Sequence, residues 1–251
     1  YSTDVYAFHK DIGDQTRANA DNPLNPDMEA TQFVTQRLLL RKEVQWAQDY
    51  FTTNVWSTDV VGTGTTNQAG TYWSDYVYNP TSYTSDPIAV VDIAKASILQ
   101  NTGYEPNTFI LGYKVFQVLK NHPLLIDRYK YTQAGAIVTE ELLAQLFGVE
   151  RVLVAKAVKN SGVEGNATQN FSFVSGNSAL LCYSAPNPGL MTPSAGYTFM
   201  WTGVSGGLGT TVGVSRFRME ELKADRVEGE IAFDNKVVAA DLGYFWSSIV
   251  Q

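Results

Sequence analysis

From Asn25 to Phe51 the apolar and polar positions follow the 3.6-residue period of a helix. At about 100° per residue, Phe33, Leu40, Val44, Ala47 and Phe51 fall in a narrow arc, with Thr31, Thr35, Lys42, Gln45 and Asp49 opposite. Asn25 suits the N-cap, Pro26 the first helical position, and Asp27 and Glu29 place negative charge at the positive end of the helix dipole. No Gly or Pro interrupts the stretch before Gly62. About 25 residues at about 1.5 Å each predict a rod of roughly 37 Å. A one-sided helix of that length needs a partner surface along it.

Elsewhere the pattern changes character. Residues 1–8 alternate weakly and predict an extended strand, followed by a polar turn region up to Asn25. Residues 52–85 are rich in Thr, Gly and aromatics and read as a loop-rich excursion in which Trp56, Tyr72 and Trp73 supply packing. Asp86 and Pro87 open a second helix that Gly103 closes, with Ile88, Val91, Ile98 and Leu99 on its apolar side. A buried strand is predicted at 108–111, then a helix at 113–121 broken by His122-Pro123. Thr139 caps a further helix that stops at Gly148, and 151–158 is a valine-rich strand. That succession predicts a compact α/β unit from about Asp86 onward. Strands follow at 171–174, 179–184 and 196–201. Five glycines between Gly203 and Gly213 then suggest a mobile tip or linker, and residues 215–250 read as strands with charged turns.

Composition narrows the function classes. The chain has 251 residues, of which 44% are apolar and 17% charged, so it has ample material for a core. A net charge of -7 argues against a protein whose task is to grip nucleic acid, which needs clustered Lys and Arg. No apolar run is long enough to cross a bilayer. The single cysteine, Cys182, forbids an intrachain disulfide, fits synthesis in a reducing compartment and reads as a buried strand thiol. With His9 and His122 far apart and one cysteine, neither a zinc site nor a Cys–His nucleophile has a ligand set. His122, before Pro123, suits a capping or surface role. The glycines of 203–213 match no phosphate loop. Asp59, Asp75 and Asp86 among Trp56, Trp73 and Tyr76 are where a carbohydrate-active or carbohydrate-binding cleft would lie, although aromatics beside acids are more often packing. Opening on Tyr1 is expected of a processed chain or of one lacking part of its amino-terminal sequence.

The segment PNTFILGYKVFQVLKNHPLLIDRYKY and, after it, TEELLAQLFGVERVLVAKAVKN resemble major capsid proteins of tailed bacteriophages. The long helix with Arg41, Lys42 and Glu43 near its middle, the preceding ANADNPLNPD and the closing VVAADLGYFWSSIV are similar to the same proteins. The resemblance implies an α+β capsid fold. Residues 1–24 would be the returning strand of an extended hairpin loop and its linker, and 25–85 the spine helix of a peripheral domain with its loop excursion. Residues 86–202 would form an axial domain, and 203–251 would return to the peripheral domain as long strands. The outgoing half of the hairpin loop and an amino-terminal arm are not in the sequence. The resemblance further implies a non-enzymatic virion protein, made in the host cytoplasm, that self-associates into pentamers and hexamers. Its partners would be a portal and scaffolding or cementing proteins; it would enclose DNA without sequence-specific binding, and would use no cofactor, metal or membrane. Arg37, Arg41, Lys42 and Glu43 are the residues expected to pair with neighbouring subunits. Some members of the family join subunits by a Lys–Asn isopeptide bond; Lys10 and Asn235 are the candidates, and neither sits in a matching motif. Two other readings stand beside this one: an encapsulin-like compartment of the same fold, and an extracellular carbohydrate-active or binding domain using the aromatic patch at 56–83.

Overall fold

The computed structural model describes residues 2–21, 23–63, 70–76, 78–79, 82–83, 85–129, 138–163, 165–189, 191–201, 203 and 213–251. In chain order the elements begin with β1 (Asp4–Gly13), α1 (Asp14–Ala18), α2 (Pro26–Tyr50) and β2 (Thr58–Val61). The short pair β3 (Tyr78–Asn79) and β4 (Ser82–Tyr83) precedes α3 (Pro87–Thr102), β5 (Thr108–Gly112), α4 (Tyr113–Lys120), α5 (Pro123–Tyr129) and α6 (Glu140–Phe147). Then come β6 (Arg151–Ala155), β7 (Val158–Asn160), β8 (Phe171–Phe173), β9 (Ala179–Cys182) and β10 (Gly196–Met200). The chain closes with β11 (Gly213–Met219), β12 (Ala224–Val237), a 3-10 turn (Ala240–Leu242) and β13 (Gly243–Ser247). The chain divides into two compact units, one made of Tyr1–Trp46 with Tyr197–Lys236 and the other of Ala47–Gly196 with Val237–Gln251.

In the first unit β12 is the central strand. It pairs antiparallel with β1 along ten residues, from Asp4 opposite Phe233 to Gly13 opposite Ala224, and on its other side with β11 and β10. The long helix starts as its sequence dictates: Asn25 Oδ1 accepts from the Met28 N–H at 3.2 Å, and Pro26 is the first helical residue. Its buried stripe in this unit is Ala30, Val34 and Leu38, lying roughly 100° round the helix from the arc that the apolar pattern picks out, while Ala47 of that arc and Tyr50 are buried in the second unit. Phe33, in that arc, is 38% exposed. The reason lies in the sheet. Gly229 leaves bare backbone where the helix crosses β12, and a Cβ there would come within 2.6 Å of Val34 and 2.7 Å of Leu38. The closest approach selects the helix face, and Val34 and Leu38 join Ile231 and Phe233 in one cluster while Ala30 joins Ile12 and Val227 in another. β1 also runs further than its weak alternation suggests. Tyr6 and Ile12 turn to the helix side, so residues expected as a polar turn are strand up to Gly13 and then a single turn of helix.

The second unit is built on a mixed five-stranded sheet in the order β2-β13-β9-β5-β6. An interior position in it, between β2 and β9, belongs to the closing segment of the chain, and β2 pairs parallel with it, Tyr244 opposite Thr58. Residues 58–61, expected with the spine helix, and residues 243–247, expected among the long strands, therefore lie in this sheet beside β9 and β5. The physical cause is aromatic: Trp246 packs on Trp73 at 5.6 Å, Phe109 at 6.0 Å and Tyr244 at 4.6 Å between ring centroids, and Phe109 continues to Phe147 at 5.3 Å. On the other face Trp56 lies against the bare backbone of Gly243, where an added Cβ would fall 2.1 Å from its ring, and Nε1 of Trp56 donates to the Tyr50 carbonyl at 2.8 Å.

The helices of this unit end where the sequence says. Asp86 accepts from the N–H groups of Ile88 and Ala89, both at 3.1 Å, and Gly103 closes α3 at φ +77°. Leu99, placed on the apolar side of that helix by its spacing, is 47% exposed. Thr139 caps α6, Gly148 closes it at φ +60°, and Lys95 Nζ donates to the terminal carbonyls of Phe147 and Gly148 at 3.1 and 2.9 Å. His122 caps α5 by accepting from the Leu124 N–H, but it is wholly buried, not on the surface; desolvation pushes its pKa down to about 4, so it is neutral. Cys182 is a buried strand thiol whose pKa desolvation pushes up to about 12. The glycine run of 203–213 lies outside the described residues except for its two ends, as do Lys130 and Tyr131 of the family-like motif.

Candidate assembly surface

Long strand and long helix together make the site. Successive residues of β1 point to opposite faces, and Tyr6 and Phe8 fall on the side of α2. Each aromatic has a partner there: Tyr6 meets Phe233 at 5.3 Å, and Phe8 meets Phe33 at 5.8 Å. Along α2, Phe33, Arg37 and Arg41 succeed one another one turn apart. The Arg37 guanidinium lies over the Phe33 ring at 5.0 Å and that of Arg41 over Tyr6 at 4.8 Å. A guanidinium over a ring face gains a cation–π contact and can still offer N–H groups in the planar fork that suits carboxylates. Arg41 also donates to Gln45 Oε1 at 3.2 Å.

Between helix and strand runs a trench. One stretch of about 420 Å³ is lined by Val5, Tyr6, Ala7, Phe8, Arg37, Leu38 and Arg41. A second stretch, of about 450 Å³, has Lys10, Asp11, Glu29, Ala30 and Phe33 among its lining residues. Asp11 is taken up by Arg226 in a two-point ion pair at 2.7 and 2.8 Å, whose hydrogen bonds hold the carboxyl below its usual range. The trench therefore carries Lys10, Arg37 and Arg41 against Glu29, an excess of positive charge on a chain whose net charge is -7. Strand β1 pairs with β12 along one edge, and among the described residues no strand pairs with its other edge.

The four residues expected at an interface do not form one patch. Arg37 and Arg41 share the trench; Lys42 faces β10, with Nζ 4.0 Å from Met200 Sδ; Glu43 is exposed on the outer side of the helix. Sequence reasoning missed Tyr6, Phe8 and Phe33 as the shelf for the guanidiniums. The signal was present: aromatic and charged residues alternate through Tyr6, Phe8 and Lys10, a strand face. Lys10 and Asn235 are separated within one chain. Lys10 pairs opposite Val227, residues 227 to 235 span roughly 26 Å of strand, and Asn235 Oδ1 accepts from Thr198 at 2.8 Å.

Among the described residues of the aromatic patch, the two tryptophans serve the core. Trp56 and Trp73 are buried, Asp86 is a helix cap, and Asp59 accepts from the Asn54 N–H while burial raises its pKa. Among the described residues no group of His, Cys, Asp and Glu is placed to hold a metal ion, and no helix is long and apolar enough to cross a membrane.

No family model matches the chain. Its sequence is 31% identical, over 170 residues covering 66% of the chain, to the major capsid protein of Burkholderia phage BcepMu, and the match spans about half (51%) of that relative's length. Among solved structures it resembles a phage-related protein from Bordetella bronchiseptica, with a TM-score of 0.74 and 23% identity over 99% of this chain and 76% of that one. The capsid of cyanophage P-SCSP1u gives a TM-score of 0.55 and 11% identity over 98% of this chain and 72% of the other. The encapsulin of Synechococcus elongatus gives 0.53 and 12%, over 99% and 75%. The chain thus has the fold of tailed-phage major capsid proteins, a fold that encapsulins share.

Proposed function

We propose that the chain is a shell-building protein, copies of which close into an icosahedral phage head around the packaged genome. The observation that carries this reading is the sequence likeness to a phage major capsid protein, joined to a capsid fold extending over nearly the whole chain. Many copies, each making modest contacts, give a stable closed particle because the contacts are symmetric and multivalent. The role is structural and non-enzymatic, and it belongs to the virion, with synthesis in the host cytoplasm. A portal, scaffolding or cementing proteins and enclosed DNA are its partners, the DNA held without sequence-specific contacts, as a net charge of -7 favours. The first unit would serve as the peripheral domain and the second as the axial domain. Likeness to encapsulin rests on fold alone, at 12% identity, whereas the sequence likeness is to the capsid protein.

In this reading Arg37 and Arg41 face carboxylates of a neighbouring copy, whose net negative charge complements the trench, and Lys42 and Glu43 contribute at the helix flanks. Reversing the trench charge with Arg37→Glu and Arg41→Glu is expected to abolish most shell formation by the full-length protein. The melting temperature of the unassembled subunit should stay within a few degrees, because both residues are exposed. Sizing chromatography and microscopy measure the first, and circular dichroism the second. An unchanged yield of shells would remove Arg37 and Arg41 from the interface.

A further inference from the structure

Residues 14–25 connect β1 to α2, and α1, at their start, buries none of its side chains. Its anchors are ionic. Arg17 reaches Asp27, in the first turn of α2, at 2.7 Å and also pairs with Asp225 at the start of β12. Arg216 of β11 closes the ring, 2.6 Å from Asp225 Oδ2 and 3.4 Å from Asp27 Oδ2. Arg218 forks onto both oxygens of Asp14 at 2.6 and 2.7 Å and lies 3.4 Å from Asp225 Oδ1. Three guanidiniums thus meet three carboxylates drawn from α1, α2, β11 and β12. The Asp225 side chain is 11% exposed, while its partners keep between 32% and 50% of their surface in solvent. A backbone bond from the Asp14 N–H to the Lys223 carbonyl, at 3.1 Å, supplements them.

The rest of the first unit is held differently. Val34, Leu38, Ile231 and Phe233 form a buried apolar cluster, and the β1–β12 ladder is continuous. Salt separates the two chemistries. Partly exposed ion pairs weaken as the screening length falls from about 10 Å at 0.1 M to about 3 Å at 1 M, whereas apolar burial does not.

We infer that the ring around Asp225 is an electrostatic clasp on the joint between β1 and α2. Closed, it fixes the direction in which the strand leaves the helix, and with it the shape of the trench. Released, it lets α1 and the residues after it up to Asp21 bend while the sheet and α2 stay folded. The clasp itself is a property of the single chain; its use, letting one sequence fit five-fold and six-fold surroundings, rests on the shell reading.

Hydrogen exchange read by mass spectrometry on unassembled full-length subunits tests the clasp independently of assembly. Samples at about 50 mM and about 1 M NaCl bracket the screening range. In the unaltered chain at high salt, and in Asp225→Asn or Arg17→Gln at either salt, the amides of Asn19 and Ala20 are expected to exchange faster, on the order of tenfold. These two amides bond to the Gln15 and Arg17 carbonyls in the closed form. Amides of 227–233 should keep their protection, and both variants should lose the salt dependence. Protection of Asn19 and Ala20 that ignores both salt and substitution would overturn the clasp. So would a loss shared equally by 227–233, since it would make Asp225 a residue of the whole fold instead of the joint.

Discussion

Replacing Trp246 by alanine is expected to destabilise the second unit severely and to lower its melting temperature by many degrees. The indole is fully buried on β13, an interior strand of the five-stranded sheet, with Val60 and Ala179 opposite it on the two flanking strands. Trp73, Phe109 and Tyr244 all pack on it, and Phe147 joins through Phe109. Truncation removes the transfer free energy of the side chain and leaves a cavity that a sheet flanked by α3 and α6 cannot collapse to fill, a loss of about 3–5 kcal/mol. Domains of this size have about 5–15 kcal/mol in total, so a large part of the margin goes. Thermal melts should show the low-temperature shift, and Trp246→Phe should recover much of the stability by refilling the space. A melting temperature within a few degrees of the unaltered chain would mean that the aromatic cluster does not hold the sheet.

A comparable effect is expected in the first unit from Gly229→Val. Here the defect is excess volume. Even the Cβ would sit 2.6 Å from Val34 and 2.7 Å from Leu38, and both contacts are with fully or almost fully buried side chains that have no space to retreat into. Overpacking costs about 1–3 kcal/mol where neighbours yield, and this site belongs at the top of that range because the helix must lift from β12. Gly229→Ala should show the same direction with a smaller size, and pairing it with Leu38→Ala should restore part of the loss. The readout is denaturant unfolding, in which the midpoint falls. An unchanged midpoint for Gly229→Val would place the helix further from the strand than the structure does.

These two positions also show what a sequence conveys and what it hides. Helix ends were legible because their chemistry is local: Asn25 with Pro26, Asp86 with Pro87, Thr139 with Gly148, and Gly103. The buried thiol of Cys182 was legible for the same reason, in an apolar strand. The face of α2 that meets the sheet was not. Periodicity favours Phe33 and Leu40, but the decision belongs to Gly229, a residue of a strand far along the chain whose meaning is the absence of a side chain. Likewise nothing local shows that β13 enters the second unit, since its strand propensity suits either sheet and the partners that claim it are Trp73 and Phe109. Of the site, the two arginines were legible as charged residues on a long helix. Their aromatic shelf required knowing that β1 lies beside that helix, which is a tertiary fact.

Whether copies of the chain close into a shell is settled most directly by electron microscopy of the purified full-length protein at high concentration. Closed particles of uniform diameter, with nuclease-protected DNA in those made during infection, are the expected result. A population that stays monomeric under the same conditions, with no particle at any salt concentration, would contradict the shell-building role.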